Sequence, residues 1–470
     1  MILPRIGTPH AWAIGLGSVT RERLAGPVET VCGRLPDGLR GTFYRNGPAR
    51  HALGGRRYRH WFDGDGMVQA FTFTDAGVQH RGRFVETHKH AEERAAGRFL
   101  YAAFGTRFRG ARLREAADAL NTANTNVVPH HGRLLALWEG GSAHGLDPAS
   151  LATEGPITWS EATAGKPFSA HPSVEPDGTL WNFGISPMDQ ALMLYEIAPD
   201  GRLRRAESVP LPAVPLVHDF AVTQRYLVFL LPPMHFRLAR LMAGRSILGS
   251  YRWEPAHGLR ALVVDKADWQ RRWWFQLDAG FVFHFGGGWD DGAAVYLDYE
   301  RYAGPGVVND FARRIMRGRT PHLDPARVTQ ARLDLATGRA EETQLAGASE
   351  FPALHPGYVG GRYRFRYSAV MDGEARHPFM NGLRRLDLET GGEVRYSFGP
   401  DRIAEEHIVV PKPHGTGEAD AWLLGTVLDL TRARTHLTVF DAAALGDGPV
   451  FEAALPYALP LGFHGNFAPT

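Results

Sequence analysis

The chain has 470 residues, of which 52 are basic and 50 acidic, and a single cysteine, Cys32. Charges that nearly cancel argue against a dedicated nucleic-acid binder, because phosphate recognition wants a basic excess. One cysteine excludes a disulfide framework and a thiolate cage, so any metal must be held by nitrogen and oxygen.

From the N-terminus onward, Met1 to Trp12 lacks the charged region, apolar core and cleavage site of a signal peptide. No later run reaches the roughly 18 apolar residues that a membrane-spanning helix needs, so a cytoplasmic address is expected. Short β-type runs follow at Val68–Phe73, Leu134–Trp138, Leu180–Phe183, Tyr226–Leu230, Ala294–Tyr299, Ala421–Leu428 and Thr435–Phe440. Most are bounded by Asp/Gly/Pro turns such as Asp177-Gly178, Asp200-Gly201 and Asp291-Gly292. Helix is expected only at Ala91–Ala96, Arg112–Leu120 and Asp310–Arg317. The segment Phe236–Trp253 differs, with Phe236, Leu238, Leu241, Met242, Ile247 and Leu248 set among Arg237, Arg240, Arg245 and Arg252.

Two near-copies, Leu333-Asp334-Leu335-Ala336-Thr337-Gly338 and Leu386-Asp387-Leu388-Glu389-Thr390-Gly391, start 53 residues apart. That interval is close to the ~40–50 residues of a propeller blade, although an all-β sandwich could also carry it. A propeller offers a central axis where residues from several blades meet. No linker divides the chain, so residues 1–470 are read as one domain.

The chain contains 21 histidines, most of which must be ordinary. Four stand apart by context: Ala170-His171-Pro172, Val217-His218-Asp219-Phe220, Phe283-His284-Phe285-Gly286 and Gly462-Phe463-His464-Gly465-Asn466. Each is flanked by apolar or small residues at the edge of a strand-like run. Burial there keeps imidazole neutral and able to bind metal. Successive gaps of 47, 66 and 180 residues fit about one, one and three blades. His88, His90, His257 and His322 sit among charges and turns and are assigned no chemistry.

Those four segments, in that order, resemble the iron-binding segments of the carotenoid cleavage oxygenases. The likeness extends to Gly41-Thr42-Phe43-Tyr44-Arg45-Asn46-Gly47-Pro48, to His60-Trp61-Phe62-Asp63-Gly64-Asp65-Gly66-Met67 and to Asn124-Thr125-Asn126. It continues through Leu135-Ala136-Leu137-Trp138-Glu139-Gly140, Glu350-Phe351-Pro352 and Gly417-Glu418-Ala419-Asp420. The resemblance implies an all-β, seven-bladed β-propeller, with loops and short helices capping an axial metal site. Cap elements are expected within about 88–125 and 231–257, after an N-terminal extension of about 1–40. It also implies one Fe(II) per chain on His171, His218, His284 and His464, with Glu139, Glu350 and Glu418 bonded to the outer imidazole nitrogens. Such carboxylates fix the tautomer and offset the metal charge. His171 is left without a glutamate partner.

The implied reaction is oxidative cleavage of a C=C bond by O2 into two carbonyl products. Thr125 would face the open side of the metal, and Trp138, Phe104, Phe283, Tyr302 and Phe351 would line a polyene site. A hydroxystilbene-cleaving relative would commonly carry lysine where Trp138 stands, and indole offers one neutral donor only. A carotenoid or apocarotenoid is therefore favoured over a stilbene or phenylpropene; an isomerase on the same centre and a non-catalytic platform are the other readings. Residues 236–253 would touch a bilayer peripherally to collect the lipophilic substrate.

Overall fold

The computed structural model describes residues 10–113, 118–321 and 324–470. Seven antiparallel sheets of four or more strands follow one another in chain order, as the blades of a propeller. Every one of the seven expected β runs is a strand or lies almost wholly within one, from Asp65–Thr74 to Arg434–Asp441. Fully buried apolar residues glue neighbouring blades. Val228, Leu230 and Val263 of the fourth blade, for example, pack with Val295, Leu297 and Tyr299 of the fifth. Each such side chain stabilises by about 1.5–3 kcal/mol, upper values that exclude chain entropy.

Both termini close the ring. The last strand, Gly465–Pro469, pairs with Gly41–Arg45 in the first blade, with Phe43 opposite Phe467. Part of the expected N-terminal extension is sheet instead: Arg23–Pro27 edges the first blade and Glu29–Gly33 edges the seventh. Bonding one short segment to both the first and the last blade latches the ring where it would otherwise open.

The two near-copied sequences are equivalent hairpins of adjacent blades. The first joins Arg327–Asp334 to Ala340–Ala346 and the second joins Gly382–Asp387 to Glu393–Ser397. In each, the first aspartate accepts backbone N–H bonds from the turn it opens. Glycine at the end of the turn takes a positive φ, +71° at Gly338 and +72° at Gly391, which its missing Cβ allows.

Helix is sparse. Helix α1 (His88–Ala96) begins where Thr87 caps the His90 N–H and ends at left-handed Gly97. Helix α2 (Leu238–Met242) is one short turn between the paired strands Met234–Phe236 and Tyr251–Trp253. Helix α3 (Ala312–Ile315) continues a π-helical turn at Val307–Phe311. The helix expected at Arg112–Leu120 falls partly outside the described residues; those described, 112–113 and 118–120, are bridge and turn. The segments around Phe104 and α2 are joined, since Leu248 N–H donates to the Phe104 carbonyl at 2.8 Å.

Charge is buried between the fifth and sixth blades. Arg366, 0% exposed, donates to Asp298 at 2.6 Å and to Glu300 at 2.5 Å. Arg366→Leu would strand two carboxylates, and a cost of about 3–5 kcal/mol is expected in urea unfolding. Adding Asp298→Asn and Glu300→Gln should recover much of it. An Arg366→Leu protein as stable as the parent would rule out this role.

Candidate metal centre and its cavity

One edge strand of each of the fourth, fifth, sixth, seventh, first and second blades runs beside the next in that order. His171 lies just before Ser173–Val174 of the third blade, and His218 just before Ala221–Val222 of the fourth. His284 lies within Phe281–Asp290 of the fifth, and His464 just before Gly465–Pro469 of the first. Residues nearly three hundred apart in sequence therefore meet: one nitrogen of each imidazole lies within 4.8 Å of the other three.

The nitrogens facing the axis suit a cation. Nε2 of His171 and of His218 are 2.9 Å apart, and Nε2 of His284 is buried with no hydrogen-bond partner. Lone pairs held this close repel one another unless a proton or a metal lies among them. Burial, and then the neighbouring imidazoles, hold His171 and His218 well below the usual histidine range. Burial also lowers His464, against the opposing pull of Glu406. At His284 burial is more than offset by Glu350, and its proton affinity is raised. The donor set is thus four nitrogens, three of them biased to the neutral state that binds metal.

Carboxylates hold the outer nitrogens. Nδ1 of His218 donates to Glu139, Nδ1 of His284 to Glu350 at 2.5 Å and Nδ1 of His464 to Glu406 at 2.8 Å. Glu418, expected in the third position, is elsewhere. It accepts the backbone N–H groups of Arg364 and Phe365, in the loop before Ala421–Asp429. A bulge between Ala404 and His407 in Arg402–Pro411 explains the exchange. It lets adjacent side chains do different work: Glu405 binds Arg45 at 2.7 Å while Glu406 reaches His464. Glu406 is also fixed by the Gly465 N–H at 2.7 Å. Two glutamates inside the apolar run Ile403–Val410 were the signal for this pair. Glu406→Gln should weaken metal binding by about 10–100-fold, whereas Glu418→Gln should leave it unchanged, as read by chelator competition. Equal effects would remove the distinction.

His171 has no glutamate. Its Nδ1 is 3.9 Å from Asp219, too far for a hydrogen bond. Asp219 instead accepts the Phe285 N–H at 2.9 Å, tying the fourth blade to the fifth beside the centre. Burial raises the Glu139 carboxyl to about 8. Its side chain keeps 30% of its accessible surface because it faces the internal cavity rather than bulk solvent.

That cavity, of about 730 Å³, adjoins the cluster and has three of the four histidines, His218, His284 and His464, in its wall. It is lined by all six residues expected to face substrate: Phe104, Thr125, Trp138, Phe283, Tyr302 and Phe351. Their placements differ. The Phe283 ring lies 4.1 Å from that of His218, tilted by 38°. Phe351 lies 5.5 Å from the His284 ring and holds a left-handed φ of +53°. That conformation strains a side chain with a Cβ and is retained at a bulge between Glu350 and Ala353. Tyr302 has a second contact, for its hydroxyl donates to Glu350. Thr125 donates its hydroxyl to Asn124 at 3.1 Å. Sequence reasoning missed Phe62, Phe379 and Phe463, which also line the cavity; nothing local separates them from core residues. His88, His90 and His257 lie outside the cluster, and His322 is outside the described residues.

The family model for the retinal pigment epithelial membrane protein matches residues 17–469. The chain belongs to this family, that of the carotenoid cleavage oxygenases. Within the family it is 34% identical to the apocarotenoid-15,15'-oxygenase of Synechocystis, over 98% of this chain and 97% of that one. It is 28% identical to the carotenoid 9,10(9',10')-cleavage dioxygenase 1 of Pisum sativum, over 98% and 90%. The structure of the cobalt-substituted Synechocystis oxygenase superposes with a TM-score of 0.90 at 32% identity, covering 98% of each chain. Seven blades and an axial metal site are therefore this family member's architecture. Among the described residues no helix is long and apolar enough to cross a membrane.

Proposed function

We propose that the protein is a non-haem iron dioxygenase that cleaves one double bond of a carotenoid or apocarotenoid, placing one oxygen atom of O2 in each carbonyl product. One observation carries this reading: a cluster of four imidazoles has three of its members in the wall of an apolar cavity whose described lining holds no lysine or arginine. Ferrous iron, held by His171, His218, His284 and His464, supplies the electron transfer that O2 needs to react with a closed-shell alkene.

The rest is the work of side chains. Glu139, Glu350 and Glu406 partner the Nδ1 atoms, so the Nε2 lone pairs of His218, His284 and His464 point at the axis, and the charge of Glu350 and Glu406 offsets that of a divalent cation. Tyr302 holds Glu350 in place from the other oxygen. Phe283, Phe351 and Trp138 wall the space beside the centre, giving a flat polyene apolar contact and keeping water out. Thr125 narrows the same space.

A polyene fits this lining better than a hydroxystilbene, because a buried phenol would find no cationic partner. A preference of about 100-fold for apocarotenals over resveratrol is expected in a substrate panel. Reaction under labelled O2 should shift the mass of both products by one oxygen. Substrate returned with altered geometry and no label would establish an isomerase instead.

The lipophilic substrate enters, in this reading, from a bilayer surface. Leu238 and Met242 of α2 line the cavity and are 46% and 72% exposed. An apolar tip at the mouth of an apolar cavity lets a polyene pass from lipid to protein without crossing water.

A further inference from the structure

A second groove, of about 380 Å³, lies in the cap and is lined by Arg56, Arg57, Arg59, Arg107, Phe108 and Arg109. Five guanidiniums share it on a chain whose whole net charge is +2. Among the described residues none of the five pairs with a carboxylate, unlike most arginines of the molecule. Arg57 is half-buried, and its Nε and Nη1 have no hydrogen-bond partner; its Nη2 is anchored on the Leu16 carbonyl at 2.6 Å. Arg56 lies over the Phe108 ring at 5.4 Å. Like charges gathered this closely repel unless an anion joins them, and guanidinium forks match phosphate oxygens.

The groove adjoins the exposed apolar helix. Arg107 donates to the carbonyls of Leu241 at 3.1 Å and Arg245 at 3.4 Å, so its side chain spans the gap to α2. Phosphate recognition beside a protruding Leu238 and Met242 matches a molecule with an anionic head and an apolar tail. We propose that this arginine groove seats the phosphate of an anionic lipid head group and makes bilayer docking selective for negatively charged membranes. The inference rests on the docking reading above, and adds to it the chemical class of the lipid.

Sedimentation of the full chain with vesicles of phosphatidylcholine, alone or mixed with phosphatidylglycerol, tests it. Each basic residue at an anionic surface strengthens binding about fivefold, so Arg56→Ser/Arg59→Ser/Arg109→Ser should lose about 100-fold on mixed vesicles at low salt. Its binding to pure phosphatidylcholine should not change. A wild-type protein indifferent to phosphatidylglycerol, or a triple variant that keeps the preference, overturns the proposal. So does inorganic phosphate bound tightly by wild type and lost in the triple variant with no vesicle preference, which would make the groove a site for a soluble anion. Leu238→Glu/Met242→Glu separates the two ideas. If it binds phosphatidylcholine vesicles as wild type does, insertion of α2 fails, while a phosphatidylglycerol preference lost only in the triple variant still supports the head-group site.

Discussion

His284→Ala should yield a folded protein with no retained metal and no measurable cleavage. The imidazole is one of four converging nitrogen donors, and it is the one whose inward nitrogen is buried without any partner. Removing the carboxylate behind a ligand costs about 10–100-fold in affinity, and removing the ligand itself should exceed that range. Glu350 is left buried opposite a void, but it keeps Tyr302 and the Phe351 N–H, so the loss should fall on the centre rather than the fold. Elemental analysis and product formation read the first effect, and thermal unfolding the second. His80→Asn is the matched control. That histidine is also buried, but it bridges Gln69 and Tyr457 in the first blade, and its replacement should retain metal. Wild-type metal content and turnover in His284→Ala would contradict the assignment.

What could be read beforehand divides along physical lines. Strands were legible where alternation and Asp-Gly turns agree, as in Leu180–Ser186 and Ala294–Tyr302, because both signals are local. The histidines were legible for a related reason: a polar ring in Phe283-His284-Phe285 needs a partner that the neighbouring residues cannot provide. Glu406 was not, since which of Glu405 and Glu406 faces the axis depends on a bulge set by pairing with Ala421–Asp429. Glu418 misled because an acidic turn looks the same whether it points to the axis or caps two backbone N–H groups. The N-terminal strands were hidden as well. Arg23–Pro27 and Glu29–Gly33 are largely exposed and short, and only the edges of two distant blades make them sheet.

Acid should destabilise this protein at pH values where most of its carboxylates are still charged. Burial drives His51, His60 and His80 down to about 3, and His407 to about 4. All four are buried. Free in the unfolded chain, each has a pKa near 6.5. Below that value the unfolded state takes up protons that the native state refuses, so stability present at pH 7 is lost as pH falls from about 6.5 toward 3–4. At pH 5 the loss is roughly 2 kcal/mol for each histidine, so on the order of 8 kcal/mol for the set. Three buried carboxyls oppose it, Asp63 raised to about 6, Asp219 to about 7 and Glu139 to about 8, since their native state takes up protons first as pH falls. Together they return roughly 6 kcal/mol at pH 5, while His90, held at about 4 by burial, adds about 2 kcal/mol to the loss. The net loss of about 4 kcal/mol is a large part of the 5–15 kcal/mol that separates a domain from unfolding. Urea midpoints measured from pH 7.5 to 4.5 should fall below about pH 6. His80→Asn, which cannot titrate, should show a shallower fall at the same ionic strength. A midpoint flat across that range would mean these rings exchange protons as freely folded as unfolded.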